Sequence, residues 1–99
     1  MTENSHTSPT EVRPIFNNYV LPRVQSGEVA ELVQSSGTAS PSSGQPPGTR
    51  SERVVYLDGG ERIAVAHRFV LPDGSIGGSG RPDPKAVRFG SEWLIAGPD

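Results

Sequence analysis

The sequence predicts a mainly β fold with one short helical turn. It takes the form of a small antiparallel β-meander of three to four strands, preceded by a largely disordered N-terminal half. Three observations carry this expectation. Residues 54–71 hold the densest run of β-branched and aromatic residues, interrupted by Gly59-Gly60. Residues 51–99 contain 19 apolar residues and residues 1–50 only 13, so the second half alone approaches globular composition. Between the halves, 11 of the 16 residues 35–50 are Ser, Gly or Pro, a composition that buries too little to offset its ordering entropy.

Taken in order, residues 1–14 are polar and aperiodic and read as a disordered tail. Residues 15–34 read as a short docking segment or helix. Within them Ile15, Phe16, Tyr19, Val20 and Leu21 form an apolar patch closed by Pro22. It is either a strand-like piece that docks on the C-terminal sheet or a linear motif for a partner. Residues 26–34 read as a helix, with Ser26 as N-cap, Glu28 and Glu31 in the first turns, and Val29, Leu32 and Val33 at i, i+3, i+4 spacing. Residues 35–50 read as a disordered linker.

The folded unit is then residues 51–99. Residues 53–57 and 62–71 are its main strands, and a two-residue Gly59-Gly60 loop sets their register. Asp58 faces Glu61, Leu57 faces Arg62, Tyr56 faces Ile63 and Val54 faces Val65. Pro72-Asp73-Gly74 is a turn, and residues 75–77 return as a short third strand. Asp83-Pro84 reads as an N-cap and first helical position opening a helical turn through Phe89. Residues 92–96 form the last strand.

This register sorts the side chains into two faces. Val54, Tyr56, Ile63, Val65, His67, Phe69 and Leu71, with Trp93 and Ile95, make the core face. Ala64 and Ala66, with Val55, Leu57 and Val70, make a second face that is too apolar for water. That face calls for the N-terminal segment, a second copy of the chain or another protein.

The candidate sites follow. Residues 77–85 combine three glycines, Arg81, Lys85 and a helix start, the ingredients of an anion cradle. The spacing matches neither the phosphate-loop nor the dinucleotide fingerprint. Arg68 adds a cation from the sheet. Glu52 is expected opposite His67, half of an acid–base pair at the sheet end. The candidate binding residues are therefore Arg81, Lys85 and Arg68, and Ala64 and Ala66 on the apolar face.

The net charge of −2 gives no electrostatic reason for non-specific nucleic-acid or membrane binding. With no cysteine, and with His6 and His67 far apart, neither a metal site nor a cofactor is expected. The polar N-terminus carries no secretory pattern and no apolar run exceeds four residues, so the expectation is a soluble cytoplasmic protein. Eight Arg against one Lys, with 22 Gly and Pro, suggest a GC-rich bacterial or phage genome. The functional expectation is a small non-enzymatic protein-interaction module, self-associating or docking on a larger protein through the second apolar face. The alternative is anion or nucleic-acid binding through the 77–85 loop.

Overall fold

A computed structural model describes residues 4–7, 9–78 and 80–96, with side chains from Glu11 onward. The fold is one mainly antiparallel sheet with a helical segment on one face. In chain order the elements are β1 (Asn4–Thr7), α1 (Pro9–Ile15), a π-helical stretch (Phe16–Val20), α2 (Leu21–Gln25), β2 (Ala30–Thr38), β3 (Arg50–Asp58), β4 (Glu61–Val70), β5 (Asp83–Phe89) and β6 (Glu92–Ala96). The sheet order is β1-β6-β5-β4-β3-β2, antiparallel throughout except for the β1–β6 pair. No helix among the described residues is long and apolar enough to cross a membrane.

The hairpin turns where the sequence predicts. Gly59 and Gly60 both take positive φ, 59° and 85°, the backbone that a two-residue hairpin loop needs and that glycine adopts without strain. Asp58 pairs with Glu61 and Leu57 with Arg62. The next pair is Tyr56 with Ala64, because Ile63 is an extra residue in a β-bulge. From there the pairing runs Val55 with Val65, Val54 with Ala66, Arg53 with His67 and Glu52 with Arg68. The expected pairs Tyr56–Ile63, Val54–Val65 and Glu52–His67 are thereby corrected by one residue. A slip of one residue moves every later side chain to the other face.

The bulge decides what the sheet buries. Val54, Tyr56, Ala64, Ala66 and Val87 lie fully buried in one cluster with Val12, Phe16 and Val20 of the helical segment; Ile63 and Val29 complete it. Ile63 joins the cluster because the bulge leaves it on the same side as Ala64. The face of Ala64 and Ala66 is thus the core, and the chain's own N-terminal segment fills it. Methyl-sized side chains there leave room for the Phe16 ring, which meets Tyr56 edge-on. Val55 and Val65 lie outside this cluster, in a cross-strand row with Leu32, Ala86 and Ile95 on the opposite face. Trp93 pairs with Arg88 and Ile95 with Ala86, so both belong to that opposite face and Leu94 takes the core side.

Three segments differ from expectation. The tail expected to be disordered pairs as β1 and is helical from Pro9; residues 1–3 and 8 lie outside the described residues. Val12, Phe16 and Val20 recur every four residues and give this segment an apolar stripe. Its π-helical stretch ends with Leu21 N–H donating to Phe16 O, five residues back, just ahead of Pro22, which has no N–H.

The expected helix over 26–34 is replaced by β2, which runs into the expected linker as far as Thr38; residues 39–49, with a 3-10 turn at Pro41–Ser43, then connect β2 to β3. Gly27 turns the chain at φ 85°. Residues 30–38 then pair with β3 through a bulge at Gln34. Polar cross-strand contacts hold Ser36 to Glu52, Arg50 to Ser36, and Arg53 to Gln34.

The expected helical turn over 84–89 is β5. Its Pro84 faces Ala66 beside a register shift in the β4–β5 ladder, and β6 pairs only from Ala86 onward, the irregular setting in which a strand tolerates proline. The expected third strand over 75–77 is a single bridge, Val70 with Ile76, after the Pro72-Asp73-Gly74 turn. That turn is closed by Asp73 Oδ1, which accepts from the Ser75 amide (2.8 Å) and hydroxyl (2.6 Å).

Candidate functional site

Pairing between β4 and β5 stops at His67 with Asp83, while β4 continues to Val70. The chain after the 72–74 turn takes the vacated place, with Gly77 N–H donating to Phe69 O at 2.9 Å. This junction opens a cleft of about 390 Å³ between the helical segment, the end of β4 and the 77–82 loop. Arg13 and Asn17 line it from the helical side, His67, Arg68 and Phe69 from β4, and Arg81 from the loop. Gln45, Gly77, Gly78, Pro82 and Asp83 complete the wall. Its size is that of a small-molecule site, about 300–1,000 Å³. Gly77 packs closely, since a Cβ there would meet Gln45 Oε1 at 3.3 Å and the Phe69 Cβ at 3.5 Å.

The charges around the cleft differ in how they are engaged. Arg13 donates to Asp83 Oδ1 (3.1 Å) and Lys85 Nζ to Asp83 Oδ2 (2.9 Å). Burial alone would raise the Asp83 pKa; the hydrogen bonds from Lys85 and Arg13 outweigh it and hold the carboxyl below its ordinary value. Arg68 is committed on its far side. Its Nε donates to Glu52 Oε1 (2.9 Å) and its Nη1 to Glu31 Oε1 (3.0 Å), while Tyr56 Oη donates to Glu31 Oε2 (2.7 Å). Burial disfavours the Arg68 charge, but the two carboxylates more than compensate and its pKa is raised. Arg81 is exposed at the cleft and has no ion-pair partner among the described residues.

Two polar features complete the wall. Asn17 Oδ1 is buried with no hydrogen-bond donor. His67 Nε2 lies 2.6 Å from Ser51 Oγ, and its ring stands edge-on to Phe69 at 4.7 Å between centroids. Burial, and then the nearby Lys85 charge, lower the His67 pKa against the opposing pull of Asp83, so the fold favours the uncharged ring. Among the described residues no three His, Asp or Glu side chains converge as a metal site would require.

Of the candidate binding residues, Arg68 and Arg81 line this one cleft, as does His67, the expected half of an acid–base pair. Lys85 does not line it but braces Asp83, which does. Ala64 and Ala66 are fully buried beneath the helical segment and are not available to a partner. Residues 83–85 are strand, so the expected helix start is absent, and Ser79 of the 77–85 loop lies outside the described residues. Arg13, Asn17 and the Ser51–His67 contact escape sequence reasoning. The first two sit four residues apart, beside the Val12–Phe16–Val20 stripe, a signal that exists only if this segment is helical.

No family model, curated protein or solved structure matches the chain.

Proposed function

We propose that this chain is a small non-enzymatic binding protein that takes an anionic ligand in the cleft between the helical segment and the 77–82 loop. The observation that carries the reading is Arg81. It is the one charged side chain of the cleft wall without an ion-pair partner among the described residues, and an anion arriving there has no existing salt bridge to break. Arg13 and Arg68 also line the wall but are held by Asp83 and by Glu31 and Glu52, so Arg81 supplies the uncompensated charge, and Asp83 is the only acid among the described residues of the wall. Ser51 and His67 touch, but Asp83, the acid nearest His67 in register, is engaged by Arg13 and Lys85. Among the described residues no third group is thus aligned to orient the ring for nucleophilic catalysis, which supports binding over chemistry. The test is a phosphate titration of the full chain followed by NMR, at two salt concentrations, with Arg81→Ala alongside. Saturable binding that weakens with salt and is lost in the variant supports the reading; no binding at low salt contradicts it.

A protein-interaction module is the second reading. It now rests on the sheet edge, because the Ala64–Ala66 face is occupied. The edge strand β2 is exposed along all nine residues and includes Leu32 (54% exposed) and Val33 (42%). Such an edge can accept a further strand. Light scattering of the wild type against Leu32→Lys tests it: a concentration-dependent dimer abolished by the lysine favours it, and a strict monomer rules out self-association.

A further inference from the structure

The helical segment covers one face of the sheet, and we propose that the other is a docking surface for an acidic amphipathic helix of a partner protein. The proposal stands apart from the cleft and does not rest on anion binding there. Val12, Phe16 and Val20 all pack into the cluster around Ala64 and Ala66. Across the opposite face runs an aliphatic row of Leu32, Val55, Val65, Ala86 and Ile95, one residue from each of five neighbouring strands. Val55 and Val65 sit low in its middle. Leu32 stands 54% exposed at one end, and Ala86 and Ile95 are half-buried at the other. Scattered exposed apolar residues are ordinary, but an aligned row of them marks an interaction surface.

The charges beside the row say what fits it. Strand alternation puts Arg53, two residues before Val55, on this face, and likewise Leu57, two residues after it, with Arg62 as its cross-strand partner. An arginine thus flanks the row on each side. Both are exposed, and neither has an ion-pair partner among the described residues. Arg53 Nε donates to Gln34 Oε1 at 2.8 Å. The acids of the sheet are engaged elsewhere. Glu31 and Glu52 hold Arg68, Asp58 holds Arg23, Glu61 holds Arg88, and Arg13 and Lys85 share Asp83. Glu92 pairs with Phe89, whose ring meets Tyr19 of the helical segment, so its register position is on the helical side. The net charge of −2 therefore conceals a face with two uncompensated positive charges.

The spacing selects the partner's shape. From Arg53 to Leu57, which faces Arg62, the strand advances about 13 Å. An α-helix with its side chains is about 10–12 Å wide, so one lying across the strands fits between the two arginines. Its apolar stripe then meets the aliphatic row, and an acid on each flank reaches Arg53 or Arg62. The row spans about 19 Å of strand spacings, which roughly 13 helical residues cover. A second copy of this chain fits less well, since its matching face brings further arginines and no free acid. Single-stranded nucleic acid also fits less well. Bases stack on rings, and the row is aliphatic throughout, with Trp93 and Phe69 on other rows.

The experiment uses the full chain and two synthetic helical peptides of about 18 residues, long enough to hold a helix. Both carry the same leucine stripe, flanked by glutamates in one and by lysines in the other. Trp93, the chain's single tryptophan, lies on the open face and reports binding by its fluorescence. The glutamate peptide is expected to shift Trp93 emission saturably to shorter wavelength and to move the amide resonances of Val55, Val65 and Ile95. The lysine peptide is expected to bind about tenfold more weakly. Arg53→Glu with Arg62→Glu, a double change of exposed side chains, is expected to reverse that preference, a result that a misfolded variant cannot produce. No Trp93 response to the glutamate peptide overturns the proposal, as does equal binding of the two peptides or a preference that the double variant leaves unchanged. Tighter binding of a thymidine oligonucleotide, or a wild-type dimer that buries Trp93 without any peptide, overturns it in favour of the other occupants.

Discussion

The Phe16 ring meets Tyr56 edge-on, with centroids 5.1 Å apart and planes at 77°. Both rings are fully buried. The contact fastens the N-terminal helical segment to the central strand β3 and seals the space above Ala64 and Ala66. Removing the ring leaves a cavity that the small alanines cannot fill. Phe16→Ala is expected to cost about 3–5 kcal/mol, read as a lower urea midpoint with an unchanged m-value. Phe16→Leu should lose clearly less.

The bulge at Ile63 pairs Ala64 with Tyr56 and brings it into the buried cluster that holds this ring. Enlarging that alanine overpacks a closed site, so Ala64→Leu should cost about 1–3 kcal/mol. Thermal unfolding followed by circular dichroism checks it. Had the strands kept the register without a bulge, Ala64 would lie on the opposite face and the leucine would be tolerated.

Glu31 joins the edge strand to the interior by accepting from both Tyr56 and Arg68. Tyr56 is held well above its ordinary pKa, first by burial and then by the hydrogen bond to Glu31 and its charge. Glu31→Ala leaves the Tyr56 hydroxyl and one Arg68 N–H without their acceptor. A loss of about 1–3 kcal/mol is expected, with faster amide exchange concentrated in β2. Ultraviolet titration of the variant should show Tyr56 ionising at lower pH than in the wild type, because burial alone then holds it up.

His67 sets a pH dependence whose sign can be worked out. Its folded pKa lies below the ordinary value of 6.5, through burial first and the Lys85 charge second. As pH falls through 6.5 the unfolded chain takes up a proton that the folded protein refuses. Stability therefore drops from that point and stops dropping, for this group, once pH is below the folded value. Denaturant midpoints measured between pH 8 and pH 5 should show the decline, and His67→Asn should flatten it.

The hairpin was legible because its signal is local. Gly59-Gly60 supports one two-residue loop, and the first two pairs follow from it. The bulge was not legible, since nothing in Arg62-Ile63-Ala64 demands an extra residue. It is favoured by the cluster it lets Ile63 and Ala64 share with Phe16, 47 and 48 residues away in sequence. The strand β2 misled for a different reason. Val29, Leu32 and Val33 fit a helical period, yet only Val29 enters the core, while Leu32 and Val33 stand exposed on the edge strand. Asp83-Pro84 carries a helix-start signal that cross-strand pairing overrides. The same holds for the site. Arg68 and Arg81 stood out as cations, but Arg13 and Asn17 became visible only when the tail and the segment after it folded as one helical layer on the sheet.

The most direct test of the anion-binding account is a phosphate titration of the isotopically labelled full chain, followed residue by residue. The account predicts saturable shifts at Arg13, Asn17, His67, Phe69, Gly78 and Arg81, none of comparable size along β2, and their loss in Arg81→Ala. Shifts spread over the surface without saturation, or an unchanged response in Arg81→Ala, would contradict it.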